Sequence, residues 1–188
     1  MKNLICVSAP SGSGKTTLCK HVRGLKRELV WSISYTTRSP RSNEVNGEDY
    51  NFVSHKEFIS LKDNKQFAEW ENVHGQYYGT IKSELDKAIL NDEIVLLELD
   101  VNGTQSIQEL YPEHSYSIFI VPPSVDHLRK RLIKRGSETN KSIEKRLDRF
   151  QEEMDYKDRF DTLLINDNIQ VAINDFIMII NKLTKGKK

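Results

Sequence analysis

Cysteine is scarce in this chain: of 188 residues only Cys6 and Cys19 are cysteines. They form no CxxC spacing, which excludes a disulfide framework and speaks against a redox pair or thiolate metal site. Cys6 falls in an apolar run and Cys19 in a helical pattern, so both read as small buried hydrophobes in a reducing compartment. The five histidines are scattered, with no zinc-ligand spacing and no Ser-His-Asp arrangement that stands out. Excess charge of one sign is missing too: 28 Lys and Arg face 27 Asp and Glu, a formal net charge of +1. Nothing global points to nucleic acid or an anionic membrane surface. No apolar run approaches a membrane span, and Met1-Lys2-Asn3 leads straight into an apolar segment with no signal-peptide pattern. The expectation is a cytoplasmic protein with neither nucleic acid nor membrane as partner. Repeats and low-complexity segments are absent as well.

What is present suits one soluble domain: 37% hydrophobic and 29% charged residues in a chain long enough for a substantial core. Near the start stands Ala9-Pro10-Ser11-Gly12-Ser13-Gly14-Lys15-Thr16-Thr17, preceded by the apolar run Leu4-Ile5-Cys6-Val7 and followed by Leu18, Val22 and Leu25 at helical spacing. Strand, small-residue loop and helix in that order make a phosphate-binding loop. Small residues let successive backbone N–H groups turn inward as an anion nest, and the positive end of the helix points at the same spot. Lys15 then reaches the β- and γ-phosphates of a nucleotide, and the Thr16 hydroxyl suits Mg²⁺. Ala9 replaces the first glycine of the strict pattern, which predicts an ordinary strand-end conformation there.

The apolar segments give the order. Strand 4–8 and helix 15–26 are followed by a β-like stretch at 30–34, a polar, turn-rich segment at 35–50 and a short strand at 50–53. Ser54 with Glu57 reads as a capping box. Further on come helix 82–90, strand 94–100, helix 103–110 and strand 117–121. A helix capped by Ser124 runs to about Lys134, and a polar turn at 136–140 leads to a charged helix at 142–157. Strand 162–165 and helix 168–183 close the chain before a frayed tail at 185–188. Alternating strands and helices predict a parallel α/β sheet covered on both faces, with ligands beyond the carboxyl ends of its strands. The phosphate loop, Asp100, Pro122 and Asn166 all follow strand ends and should share that edge. Segment 34–80 breaks the alternation and reads as an inserted substrate-binding lobe.

Within that lobe, Arg38 and Arg41 lie three residues apart in a polar loop. They suit either a solvated basic turn or a phosphate held in fixed orientation by two guanidinium forks, with Tyr50 and Tyr78 as phenolic donors. Glu69, flanked by apolar residues, is either an exposed acid or the lining of a pocket. A carboxylate accepts two N–H bonds and donates none, which would suit guanine N1–H and N2–H₂ and leave adenine N1 facing a lone pair.

Taken together, these segments resemble guanylate kinase. The resemblance rests on Ser8 to Thr16, on Ser34-Tyr35-Thr36-Thr37-Arg38-Ser39-Pro40-Arg41 and on Val45-Asn46-Gly47-Glu48-Asp49-Tyr50-Asn51-Phe52-Val53. It continues in Val73-His74-Gly75 with Tyr78-Gly79-Thr80, Leu97-Glu98-Leu99-Asp100 with Gly103, Arg131-Leu132 with Arg135-Gly136, and Arg146-Leu147. The resemblance implies a P-loop NTPase-type parallel sheet flanked by helices, with an inserted mixed α/β GMP-binding lobe and a helical lid. The single domain 1–188 would divide into a core (1–33, 81–123, 151–188), the lobe (34–80) and the lid (124–150). The implied reaction is ATP + GMP giving ADP + GDP with Mg²⁺, and homo-oligomerisation is left open.

By the same resemblance Arg38, Arg41, Tyr50 and Tyr78 would bind the GMP phosphate. Glu69 would read the guanine edge with Ser34 and Thr80, beside Asp100. Lys15 and the lid residues Arg131, Arg135 and Arg146 would act on the ATP phosphates, and Asn166 would lie near the adenine. Ile81 stands where the family often has serine. Two other classes compete: a P-loop kinase for a phosphorylated sugar, which has no use for a guanine-reading acid, and a non-catalytic scaffold domain, which typically lacks the nucleotide loop that Lys15 and Thr16 complete here.

Overall fold

Every residue of the first strand, Leu4–Ser8 (β1), is buried, as expected of a strand covered on both faces. The computed structural model describes residues 2–10, 12–73, 75–134 and 140–184. After β1 come helix Lys15–Leu25 (α1), strands Val30–Trp31 (β2), Tyr35–Thr36 (β3) and Asn51–Phe52 (β4), and helix His55–Asp63 (α2). The chain continues with strands Phe67–Val73 (β5) and Gln76–Ile81 (β6), helix Lys82–Leu90 (α3), strand Val95–Glu98 (β7) and helix Val101–Leu110 (α4). Strand Ser115–Val121 (β8), helices Val125–Lys134 (α5) and Asn140–Met154 (α6), strand Thr162–Ile165 (β9) and helix Ile169–Thr184 (α7) complete it.

The main sheet has the order β2-β7-β1-β8-β9, with every pairing parallel. Alternate residues of one strand serve opposite layers. Ile5 and Val7 join Leu18, Cys19 and Val22 of α1 and Ala172, Ile173 and Phe176 of α7 on one face. Leu4 and Cys6 join Leu85 and Ala88 of α3 and Ile107 of α4 on the other. Both cysteines are fully buried, and burial raises the pKa of each thiol. Leu25, at the last turn of α1, is exposed rather than part of the expected stripe.

The second sheet, β4-β3-β6-β5, is mixed: β3 and β4 run parallel, while β6 pairs antiparallel with both β3 and β5. The long β5–β6 hairpin was not separable from its sequence, where aromatic and polar residues mix. Helix α2 covers it, with Phe58 stacked on Phe67 and Tyr77 at 4.5 and 5.3 Å between ring centres. The Ser54 hydroxyl caps α2, accepting from the Glu57 N–H at 3.1 Å, as its capping box predicts. Helices α5 and α6 share a small core of their own, built from Leu128, Leu132, Ile143, Leu147 and Phe150.

The β-like stretch at 30–34 shortens to two residues, and the helix expected at 142–157 spans Asn140–Met154 before a 3₁₀ turn at Lys157–Arg159. Most of the polar turn at 136–140, and the tail at 185–188, lie outside the described residues.

Candidate active site

Because the main sheet is parallel, its strands deliver their carboxyl ends to one edge, where the loop between β1 and α1, residues 98–100 and Asn166 converge. Gly12 and Gly14 both take φ of +88°, a region that L side chains rarely adopt. A Cβ on Gly14 would also lie 2.7 Å from Asn166 Nδ2. Ala9 has no positive φ, as expected. The turn closes through Ser13 N–H to the Pro10 carbonyl at 3.0 Å. Asn166, 3% exposed, donates its amide N–H to the Ser13 carbonyl at 2.7 Å. Helix α1 has no acidic residue in its first turn and no side-chain cap, so its positive end is left for an anion. Among the described residues the buried Ser8 and Ser13 hydroxyls have no hydrogen-bond partner, a second mark of a loop shaped for a polar ligand. Ser11 lies outside the described residues, and Thr17 is exposed on α1.

Lys15 Nζ donates to the Leu99 carbonyl at 2.7 Å, and the Thr16 hydroxyl donates to Glu98 Oε2 at 2.9 Å. Glu98, at the end of β7, had carried no role in the sequence reading. Its place in an apolar strand gave no signal, because only the parallel pairing of β1 and β7 brings it to Thr16. Thr16 and Glu98 together offer hard oxygen donors of the kind Mg²⁺ takes.

Lys15 also lines a cavity of about 210 Å³ between the two sheets, with Ser34, Tyr50, Glu69, Glu71, Tyr78, Glu98 and Asp100. Glu69 enters it through a register shift in β5. Phe67 pairs with Ile81 and Glu69 with Thr80, leaving Ala68 as the extra residue of a bulge. Phe67 and Trp70, three apart, therefore both face α2: Phe67 stacks on Phe58, and Lys62 sits 3.9 Å over the Trp70 ring. Glu69 and Glu71 face the cavity. Without the bulge, strict alternation would put Glu69 on the side of Phe67.

Glu69 is 7% exposed and accepts from the Thr80 hydroxyl at 2.6 Å. Burial pushes its carboxyl up to about 7; the Thr80 hydrogen bond opposes the rise, and the Asp100 and Glu71 carboxylates add to it. Asp100 caps α4 by accepting from the Gly103 N–H at 2.8 Å. Gly103 lets the helix approach closely, since a Cβ there would lie 2.8 Å from Glu69 Oε2. Burial, foremost, pushes the Tyr50 phenol up to about 12.

Arg38 and Arg41 converge on Glu44, which the sequence reading passed over. Arg38 Nη1 and Nη2 donate to the two Glu44 oxygens at 2.9 Å each, and the Arg41 backbone N–H donates to Oε2 at 2.8 Å. The Arg38 guanidinium lies 5.3 Å from the Tyr50 ring centre and 5.6 Å from that of Phe52. Arg41 faces an adjoining cavity of about 230 Å³ that shares Ser34, Tyr50 and Glu98 with the first. Arg131 and Arg146 lie on α5 and α6, but their side chains are not among those described; Arg135 lies outside the described residues.

A glycine-bearing loop at the positive end of α1, a lysine and a threonine beneath it, and a second lobe facing it across a cavity define a P-loop α/β phosphotransferase. A family model for guanylate kinase matches residues 1–183. The guanylate kinase of Carboxydothermus hydrogenoformans is 40% identical over 172 residues, covering 92% of this chain and 84% of that protein. That of Clostridium acetobutylicum is 42% identical over 178 residues, covering 94% and 84%. A crystal structure of guanylate kinase from Anaplasma phagocytophilum superposes with a TM-score of 0.80 at 28% identity, covering 96% of this chain and 85% of that one. The chain belongs to the guanylate kinase family.

Proposed function

We propose that this chain transfers the γ-phosphoryl group of Mg-ATP to GMP with the residues that line the two cavities. The reaction, ATP + GMP giving ADP + GDP, is that of the family to which the chain belongs. The observation that carries the acceptor assignment is Glu69: a buried carboxylate, held by Thr80, facing the same cavity as Lys15. It accepts guanine N1–H and N2–H₂, with Ser34 and Asp100 at the same wall. Arg38, Arg41, Tyr50 and Tyr78 hold the GMP phosphate. The loop 9–17 holds the ATP phosphates, and Asn166 supports that loop from behind through Ser13.

The acceptor phosphate is largely ionised at neutral pH, since its second pKa is about 6. The residues therefore position and neutralise rather than take a proton. Lys15 leaves the Leu99 carbonyl for the β- and γ-phosphates, and Arg131, Arg135 and Arg146 approach from the lid. Thr16 and Glu98 would hold Mg²⁺, which when bound neutralises charge on the transferring phosphoryl group. The chain works as one domain of core, lobe and lid whose closure over both substrates excludes water.

Near-neutral charge supports a protein that binds no nucleic acid. Buried free thiols support a reducing, cytoplasmic setting. No described helix is long and apolar enough to cross a membrane.

Coupled ADP release with Mg-ATP and each of GMP, AMP, CMP and UMP tests the assignment. Turnover with GMP alone is expected. Turnover with another of the four would keep the kinase and discard the guanine reading of Glu69.

A further inference from the structure

Glu44 sits where its carboxylate meets both arginines of the proposed phosphate site. It takes the end of the Arg38 fork, Nη1 and Nη2, in a two-point contact at 2.9 Å each. Arg38 Nη1 is bonded a second time, to the Ser39 carbonyl at 2.7 Å. Arginine offers a second edge, Nε with the outer hydrogen of Nη2, and Tyr50, whose ring lies 5.3 Å from the guanidinium, packs edge-on against Tyr78 at 6.0 Å between ring centres. The edge of Arg38 that Glu44 does not take is therefore the Nε edge.

Two readings of Glu44 are possible. A carboxylate on an arginine fork resembles a phosphate, so Glu44 either competes with the substrate for Arg38 or holds Arg38 ready for it. The geometry separates them. A competitor must leave, and so should be exposed and held by the arginines alone. The Glu44 side chain is only 11% exposed, and it also accepts from the Arg41 backbone N–H at 2.8 Å. The Glu44 N–H closes the turn by donating to the Arg41 carbonyl at 3.1 Å. The Glu44 carboxylate is thus held by a backbone donor as well as by the guanidiniums, on a turn that its own N–H closes.

The two arginines are also held unequally. The Arg38 side chain is 18% exposed and locked, resting on Tyr50 and Phe52. Arg41 is 74% exposed, and its guanidinium lies 3.8 Å from Glu44, so it remains free to swing onto a ligand. Burial raises the Glu44 carboxyl, but the bonds from Arg38 and Arg41 outweigh it and hold it below its ordinary value.

We propose that Glu44 is a positioning residue for the acceptor phosphate: it fixes the end-on edge of Arg38 and thereby leaves the Nε edge to the phosphomonoester of GMP. This rests on the reading that Arg38 and Arg41 bind that phosphate. The half-buried carboxylate also offsets the repulsion between two neighbouring guanidiniums, so both stay close before any ligand arrives.

Calorimetric titration of the full chain with GMP and, separately, with guanosine tests the role, because guanosine keeps the base and lacks the phosphate. Glu44→Gln, nearly the same shape, should weaken GMP roughly tenfold or more, the scale of a lost charge-assisted contact, and leave guanosine unchanged. Glu44→Asp keeps the charge but is too short to span both nitrogens, and should fall between. In turnover, KM for GMP should rise while KM for ATP stays put. GMP binding that is unchanged or tighter in Glu44→Gln would overturn the proposal, the latter marking a competitor. Equal loss of GMP and guanosine would overturn it as well, since the residue would then merely hold the lobe together. Arg38→Ala separates the premise: if that variant binds GMP like the wild type, the phosphate reading falls and the role of Glu44 falls with it.

Discussion

Asn166 stands directly behind Gly14: its amide nitrogen donates to the Ser13 carbonyl at 2.7 Å, and a Cβ on Gly14 would lie 2.7 Å from that same nitrogen. The end of the last strand thus braces the phosphate loop, and the loop has room for the brace because residue 14 has no side chain. Gly14→Ala adds both a contact with the brace and a left-handed alanine at φ +88°, a strain of about 1–2 kcal/mol. The variant should melt earlier and bind ATP more weakly, with guanosine binding intact. ATP titration and thermal melting check this, and unaltered ATP affinity would remove the bracing role.

Lys15→Ala should lower turnover roughly 10²–10⁵-fold, the range for deleting a cation that meets charge in the transition state. GMP affinity should change little, because the role proposed for Lys15 is on the phosphates of ATP. Steady-state kinetics with both substrates varied give the answer, and undiminished turnover would refute the assignment.

Glu69 predicts a pH dependence with a definite sign. Its carboxyl lies near pH 7 in the folded protein against an ordinary value of 4.5, so the folded state holds a proton that the unfolded chain has released. Stability of the ligand-free protein should therefore fall as pH rises from about 4.5 to about 7. On the proposed base reading guanosine needs the ionised carboxylate, so its affinity should move oppositely, weakening up to tenfold per unit below that pKa. Glu69→Gln should flatten both profiles and raise KM for GMP while sparing ATP. Equal damage to both substrates would exclude base reading.

Closure of the lobe and the lid over the substrates should make the particle more compact. Small-angle scattering of the protein alone, with GMP, and with GMP plus a non-hydrolysable ATP analogue measures it. An unchanged radius of gyration across the three states would rule closure out.

The main sheet was legible because its strands are short apolar runs between helices, and burial on both faces leaves little ambiguity. Strand 162–165 and helix 82–90 match their expected limits, and the Ser54 cap forms as its spacing requires. The lobe was less legible. Its hairpin mixes aromatic and polar residues, and its two-residue strands depend on partners distant in sequence. The site divides in the same way. Lys15 and Thr16 belong to a contiguous motif and could be read locally. Glu98 and Glu44 acquire their places only through pairing of distant strands or folding of a loop, and Glu69 depends on an irregularity that no alternation rule anticipates.

That irregularity has a consequence for how substrate choice can change. Ala68 contributes no ligand contact of its own, yet it sets the phase of everything beyond it in β5. The base recognition proposed for Glu69 thus depends on an offset in the strand, not only on the identity of an acid. Loss of residue 68 would close the bulge and leave Glu69 opposite Phe67, still on the cavity face, whereas a regular strand that kept all its residues would turn Glu69 toward the aromatic stack. The face that the lobe turns to the cavity thus depends on a bulge being kept, a constraint that lies outside the acid itself.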